Sequence, residues 1–125
     1  MVFPADLKYT TDHEWVRVEG DVATIGITDH AQSELGDVVY VDIPDASATV
    51  SAGDTIGSIE AVKTVADMFS PVSGQIIEVN TVNDAPDIVN RDPYGGGWLV
   101  KVRMTNASEV DALLDEGAYR QLIGQ

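Results

Sequence analysis

Short apolar runs rich in β-branched and aromatic residues dominate this chain, and turn residues close nearly every one of them. No other feature constrains the fold as strongly. Such runs are too short to hold a helix on their own, but each can cross a sheet once. In "HEWVRVEGDVATIGIT" two of them, Glu14–Glu19 and Val22–Ile27, flank Gly20-Asp21 and read as a hairpin. "DVVYVDIP" is a further strand, stopped by Pro44. "TIGSIEAV", "TVADMF", "QIIEVN" and "GWLVKVRM" supply the rest. "DASATVSAGD" reads as a loop, and "APDIVNRDPYGGG" as a turn-rich connection with one helical turn after Pro86.

Helical signals are few. Thr28 suits an N-cap, Asp29 a first turn and Gly36 the position past the end, which predicts a short helix over Asp29–Leu35. In the tail, Ser108 followed by Asp111 resembles a capping box, and Val110, Leu113 and Leu114 are helically spaced. Gly117 interrupts the pattern, and a second short helix would carry Tyr119, Leu122 and Ile123. The expectation is one domain over 1–125, mainly β, a small sandwich or barrel with short helices and a C-terminal helical segment over about 108–123.

Composition narrows the function. Apolar residues at 44% suffice for a core. The absence of cysteine removes disulfides, thiolate metal sites and thiol nucleophiles. With 21 acids against 7 lysines and arginines, the net charge is −14, which disfavours nucleic acid and anionic membrane surfaces. No apolar stretch approaches a membrane span, and "MVFPADLKYT" lacks a signal layout, so a cytoplasmic protein is expected. His13 and His30 lack partners at ligand spacing, so no metal site is expected. "DPYGGGW" lacks the ending and following helix of a phosphate loop; its glycines read as a tight turn with Trp98 packing. Trp15 and Tyr40 read as core or cleft wall.

One lysine stands out. Gly53 and Gly74 bracket two β-arms of near-equal length, a hairpin over about 53–74 with Lys63 near its tip. Hairpin tips favour Gly, Asn or Asp, yet this one reads Ala61-Val62-Lys63-Thr64. A lysine there is most often a solvated charge. Glu60 and Asp67 nearby favour its protonated form, which argues against a Schiff-base amine. A covalently acylated lysine fits better: the sheet fixes the base of the arm and the tip offers it to a modifying enzyme.

The chain resembles the H-protein family of the glycine cleavage system. The resemblance rests on "HEWV" at His13–Val16, "ATIGITDHAQSELGDVVYVDIP" at Ala23–Pro44, "EAVK" at Glu60–Lys63, "SPVSG" at Ser70–Gly74, "EVN" at Glu78–Asn80 and "VNRDPYGGGWL" at Val89–Leu99. These pieces follow the family's order and cover most of the chain. Ala61 and Thr64 differ from the residues that the family often places beside its lysine. Biotin carriers use a similar hairpin but flank the lysine with methionines, and here the nearest is Met68.

The resemblance implies a barrel-sandwich hybrid of the lipoyl/biotinyl-carrier type, with lipoate attached to Lys63. It implies a non-catalytic carrier that shuttles the aminomethyl intermediate of glycine between glycine decarboxylase (P protein), aminomethyltransferase (T protein) and dihydrolipoamide dehydrogenase (L protein). A lipoate ligase or octanoyltransferase would load it. Glu14 and Asp67 are expected to hold the loaded arm in a cleft, and Glu60 to guide the lipoylating enzyme. Each of the three also reads as an ordinary surface acid. The alternative role is a relay that donates lipoyl groups to other 2-oxoacid dehydrogenases. A monomer meeting its partners transiently is expected.

Overall fold

Two antiparallel sheets organise the chain in a computed structural model that describes residues 1–43 and 48–125. The first sheet contains β1 (Lys8–Tyr9), β2 (Glu14–Glu19), β3 (Val22–Ile27), β5 (Thr49–Val50), β8 (Gly74–Val79) and β9 (Val100–Met104), in the order β1-β2-β3-β9-β8-β5. The second contains β4 (Val38–Asp42), β6 (Thr55–Ala61) and β7 (Val65–Phe69), in the order β4-β6-β7. The strand stop expected at Pro44 and the first residues of the loop at 45–54 lie outside the described residues. The strands β1 and β5 did not show in the sequence, because two residues carry no periodicity.

The sheets share one buried apolar cluster. Ile25 and Ile27 of β3, Ile56 and Ile59 of β6, Met68 of β7 and Ile76 of β8 are all in it. Each such side chain contributes about 1.5–3 kcal/mol when fully buried. A second cluster, Phe3, Leu7, Tyr9, Trp15 and Tyr119, joins the N-terminal segment to the C-terminal helix. There Tyr9 and Tyr119 stack with centroids 4.8 Å apart.

Glycine makes a close approach feasible beside Trp15. A Cβ on Gly26 would lie 2.7 Å from the ring of Trp15, its cross-strand partner. The Trp15 indole instead lies over the bare backbone and donates to the Pro93 carbonyl at 2.9 Å. In this way "HEW" and "DPYGGGW" are locked together. Arg17 adds to the junction by donating to the Tyr94 carbonyl at 3.0 Å and lying over Trp15. The glycine turn ends before β9, and Gly97 donates to the Asp92 carbonyl at 2.9 Å.

The first helix, α1 (Asp29–Leu35), matches its sequence signals. The Thr28 hydroxyl accepts from the Ala31 amide at 3.1 Å, and Gly36 sits past the end at φ 79°. A short α2 (Ile88–Arg91) follows Pro86 by two residues. The tail carries the expected short helix with Tyr119 and Leu122, but its start differs from its reading. Ser108 is not a cap. It lies inside a 3-10 turn over Ala107–Ala112 that Asn106 caps, and its hydroxyl donates to Asn106. Gly117 does not interrupt a helix but sits in the first turn of α3 (Glu116–Leu122). The Asp115 cap and the burial of Tyr119 outweigh the cost of about 1 kcal/mol that a helical glycine carries.

Candidate functional site

Lys63 occupies the three-residue connection Val62–Thr64 between β6 and β7 and is exposed. The backbone around it is pinned. The Ala61 amide donates to the Thr64 carbonyl at 2.8 Å, and the Val62 amide to the Asp37 carbonyl at 3.0 Å. The lysine therefore projects from a fixed base. It makes no ion pair among the described residues.

A cleft of about 180 Å³ opens along β7, lined by residues of both sheets and α1. Its walls combine apolar Ile27, Leu35, Ile59 and Met68 with acidic Asp12, Glu14, Glu34 and Asp67. The structure thus brings together Glu14 and Asp67, which lie far apart in sequence. Glu60 lies apart from this cleft. It is exposed on β6 between its cross-strand partners Tyr40 and Val65. Tyr40 is 48% exposed and is neither core nor cleft wall. A register shift between Val38 and Tyr40 turns it outward along with Val39.

Glu14 is the most buried acid of the site, at 3% exposure. A tight loop positions it: the Thr10 amide donates to the Glu14 carbonyl at 3.0 Å, and the Glu14 amide to the Thr10 hydroxyl at 3.1 Å. Its carboxylate accepts from the Phe69 amide at 2.8 Å and from the Thr10 hydroxyl at 3.3 Å. Burial pushes its pKa up to about 8, against the lowering effect of the Phe69 hydrogen bond.

Three titratable wall residues, Asp12, His13 and Glu34, were not assigned to the cleft from the sequence. Asp12 and His13 directly precede Glu14 in "DHEW", so adjacency was their signal. Glu34 is three residues from Ala31 on α1, one turn along the face that also carries Leu35. His13 and His30, remote in sequence, meet with ring centroids 4.8 Å apart. Among the described residues no group of three His, Cys, Asp or Glu could hold a metal, and no helix is long and apolar enough to cross a membrane.

A two-sheet fold of this kind, with an exposed lysine at a pinned hairpin tip, defines a lipoyl-type carrier domain. Comparison with known proteins places it more narrowly. The family profile "Glycine cleavage H-protein" matches residues 7–125. The glycine cleavage system H protein of Bacteroides thetaiotaomicron is 52% identical over 124 residues, covering 98% of both chains. That of Chlorobium limicola is 53% identical over 127 residues, covering both in full. The crystal structure of a glycine cleavage system H protein from Mycobacterium marinum superposes with a TM-score of 0.91 at 43% identity, covering 98% of this chain and 100% of that one. The chain belongs to the glycine cleavage H-protein family. Its members carry lipoate and shuttle intermediates of the glycine cleavage system, and these matches favour that role over a lipoyl relay.

Proposed function

We propose that Lys63 carries a lipoyl group in amide linkage and that the chain itself catalyses no step of glycine cleavage. The observation that carries this reading is the exposed lysine on a pinned base, beside an acid-walled cleft lined in part by its own hairpin strand. The residues present suit the group. Ile27, Leu35, Ile59 and Met68 match an alkyl stem, and Glu14 and Asp67 match a cationic amine at its end. When bound, lipoate supplies the disulfide chemistry that a chain without cysteine lacks. Glu14 and Asp67 hold the amine, and the apolar walls keep water from it.

The tether raises the effective concentration of cargo at each partner site. The partners are the decarboxylase, aminomethyltransferase and dihydrolipoamide dehydrogenase of glycine cleavage, met transiently by a monomer in the cytoplasm. One domain over 1–125 presents the hairpin over about 53–74 to them. A lipoate ligase or octanoyltransferase loads Lys63. Glu60, with exposed Val62 and Val65 beside the tip, forms its docking face.

Intact mass with fragment mapping of the protein from its own cells tests the attachment. One lipoyl group on Lys63 is expected. A fully unmodified Lys63 in lipoate-sufficient cells would reject the reading. The same assay on Lys63→Arg, which keeps the charge, is expected to show no lipoyl group.

A further inference from the structure

His13 has an unusual backbone. It is the one non-glycine residue with positive φ among the described residues, at 67°. That conformation costs about 1 kcal/mol or more for a side chain with a Cβ and persists only where its surroundings fix it. The loop supplies part of the restraint, since the His13 amide donates to the Thr10 carbonyl at 3.1 Å. The Thr28 amide donates to the His13 carbonyl at 3.0 Å, and the side chain adds its own contact. His13 Nδ1 lies 2.9 Å from the Tyr119 hydroxyl on α3, and that hydroxyl lies 2.8 Å from Thr28 Oγ1 at the start of α1.

One arrangement of hydrogens satisfies every donor in this relay. Thr28 and Tyr119 are both fully buried. Thr28 Oγ1 already accepts from the Ala31 amide as the helix cap. Its own hydrogen needs an acceptor, and among the described residues the Tyr119 oxygen at 2.8 Å is the one in reach. Tyr119 then donates its hydrogen to His13 Nδ1. In that arrangement Nδ1 is bare, and the single imidazole proton sits on Nε2.

We propose that Tyr119 is a positioning residue that holds His13 in the neutral Nε2–H tautomer, so the cleft wall presents an uncharged donor rather than a cation. Every group facing His13 bears on this. Asp12 and Glu34 favour its protonation, while burial and the His30 ring on α1 oppose it, and the net effect lowers its pKa. His30 reinforces the arrangement. Its Nδ1 is buried with no hydrogen-bond partner among the described residues, which suits a bare nitrogen rather than a stranded N–H. An imidazolium at His13 would stand in the same wall as Glu14 and Asp67 and oppose a cationic cargo. That consequence rests on the function proposed above; the tautomer does not.

Long-range proton–nitrogen NMR of the ¹⁵N-labelled, unlipoylated full chain tests the assignment near neutral pH. His13 is expected to show a bare Nδ1 and a protonated Nε2. Tyr119→Phe keeps the stacked ring and removes the donor, and it is expected to raise the His13 titration midpoint by about 0.5–1 pH unit, the equivalent of one lost hydrogen bond. Thr28→Ser keeps the relay and is expected to leave the midpoint in place. A proton on Nδ1, an imidazolium at neutral pH, or an unmoved midpoint in a folded Tyr119→Phe chain would overturn the proposal. If Tyr119→Phe does not fold, the wild-type tautomer alone decides. Mapping of Lys63 tests the carrier reading separately, so the two can fail independently.

Discussion

Glu14, on the first sheet, accepts a 2.8 Å hydrogen bond from the backbone amide of Phe69, at the end of the strand that leads away from Lys63. One buried carboxyl of the cleft wall thus joins the two sheets. The Thr10 hydroxyl is its second donor. Even with both, burial dominates and pushes the pKa from 4.5 to about 8. At neutral pH the unloaded carrier therefore holds Glu14 mostly protonated. A cationic amine arriving in the cleft would favour the ionised form and release that proton.

The same shift makes stability depend on pH. Between pH 4.5 and about 8 the folded chain retains the Glu14 proton and the unfolded chain has lost it. The contribution is fully present below pH 4.5 and is lost as the pH rises through about 8. Unfolding free energy from denaturant titrations is expected to fall across that window, by on the order of a few kcal/mol from this group. Glu14→Gln is expected to flatten the slope. A stability that rises over the window, or a slope that Glu14→Gln leaves unchanged, would contradict the account.

Cargo retention is expected to separate the two cleft acids. Glu14 is buried and Asp67 is exposed, so an amine held by Glu14 is screened less by water. Losing a charge-assisted hydrogen bond of about 1.5–3 kcal/mol corresponds to a release roughly 10–100 times faster, the change expected for Glu14→Gln. For Asp67→Asn about 2–5 times faster is expected, in line with exposed ion pairs. The measurement is the decay of the aminomethyl-loaded chain with partners absent. Equal lifetimes in wild type and both variants would rule out the cleft as the amine's resting place.

How much of this was legible in the sequence varies with the kind of interaction. The β2–β3 hairpin and α1 were readable to the residue, because Gly20-Asp21, Thr28 and Gly36 are local signals for local structure. Lys63 stood out because a hairpin tip without Gly, Asn or Asp contradicts local preference. The meeting of His13 with His30 and Tyr119 was not legible. It depends on a left-handed backbone at His13 and on α3 docking through a stacked pair of tyrosines. The Ser108 capping box was misread for a related reason. Glu109 accepts from both the amide and the hydroxyl of Ser73, at 2.7 and 2.8 Å, a tertiary contact that no capping-box pattern encodes.

The lock between "HEW" and "DPYGGGW" makes a packing prediction. Trp15 is fully buried, and its indole is held over Gly26 by the Pro93 carbonyl. Gly26→Ala would push a methyl to 2.7 Å from the ring and force it off its acceptor. Overpacking of this kind costs about 1–3 kcal/mol, and a stranded indole N–H adds about 1–3 kcal/mol more. Denaturant midpoints are expected to fall accordingly, together with a change in tryptophan emission. An unaltered midpoint would show that the ring can yield without loss.

Docking to the other glycine cleavage components is expected to depend on salt. A net charge of −14 generates a field that extends well beyond the surface at low ionic strength. Raising ionic strength from about 0.01 M to 0.15 M shortens the screening length from roughly 30 Å to 8 Å. If the partners present basic faces, association should slow by about tenfold over that range while dissociation changes little. Stopped-flow association with the decarboxylase measures both rates. Glu60→Gln, beside the lysine tip, is expected to lower the salt sensitivity further than Glu19→Gln at the far end of β2. A flat dependence in wild type would shift the weight of docking to the exposed Val62 and Val65 flanking Lys63. Val62→Ser would then weaken association at every salt concentration alike.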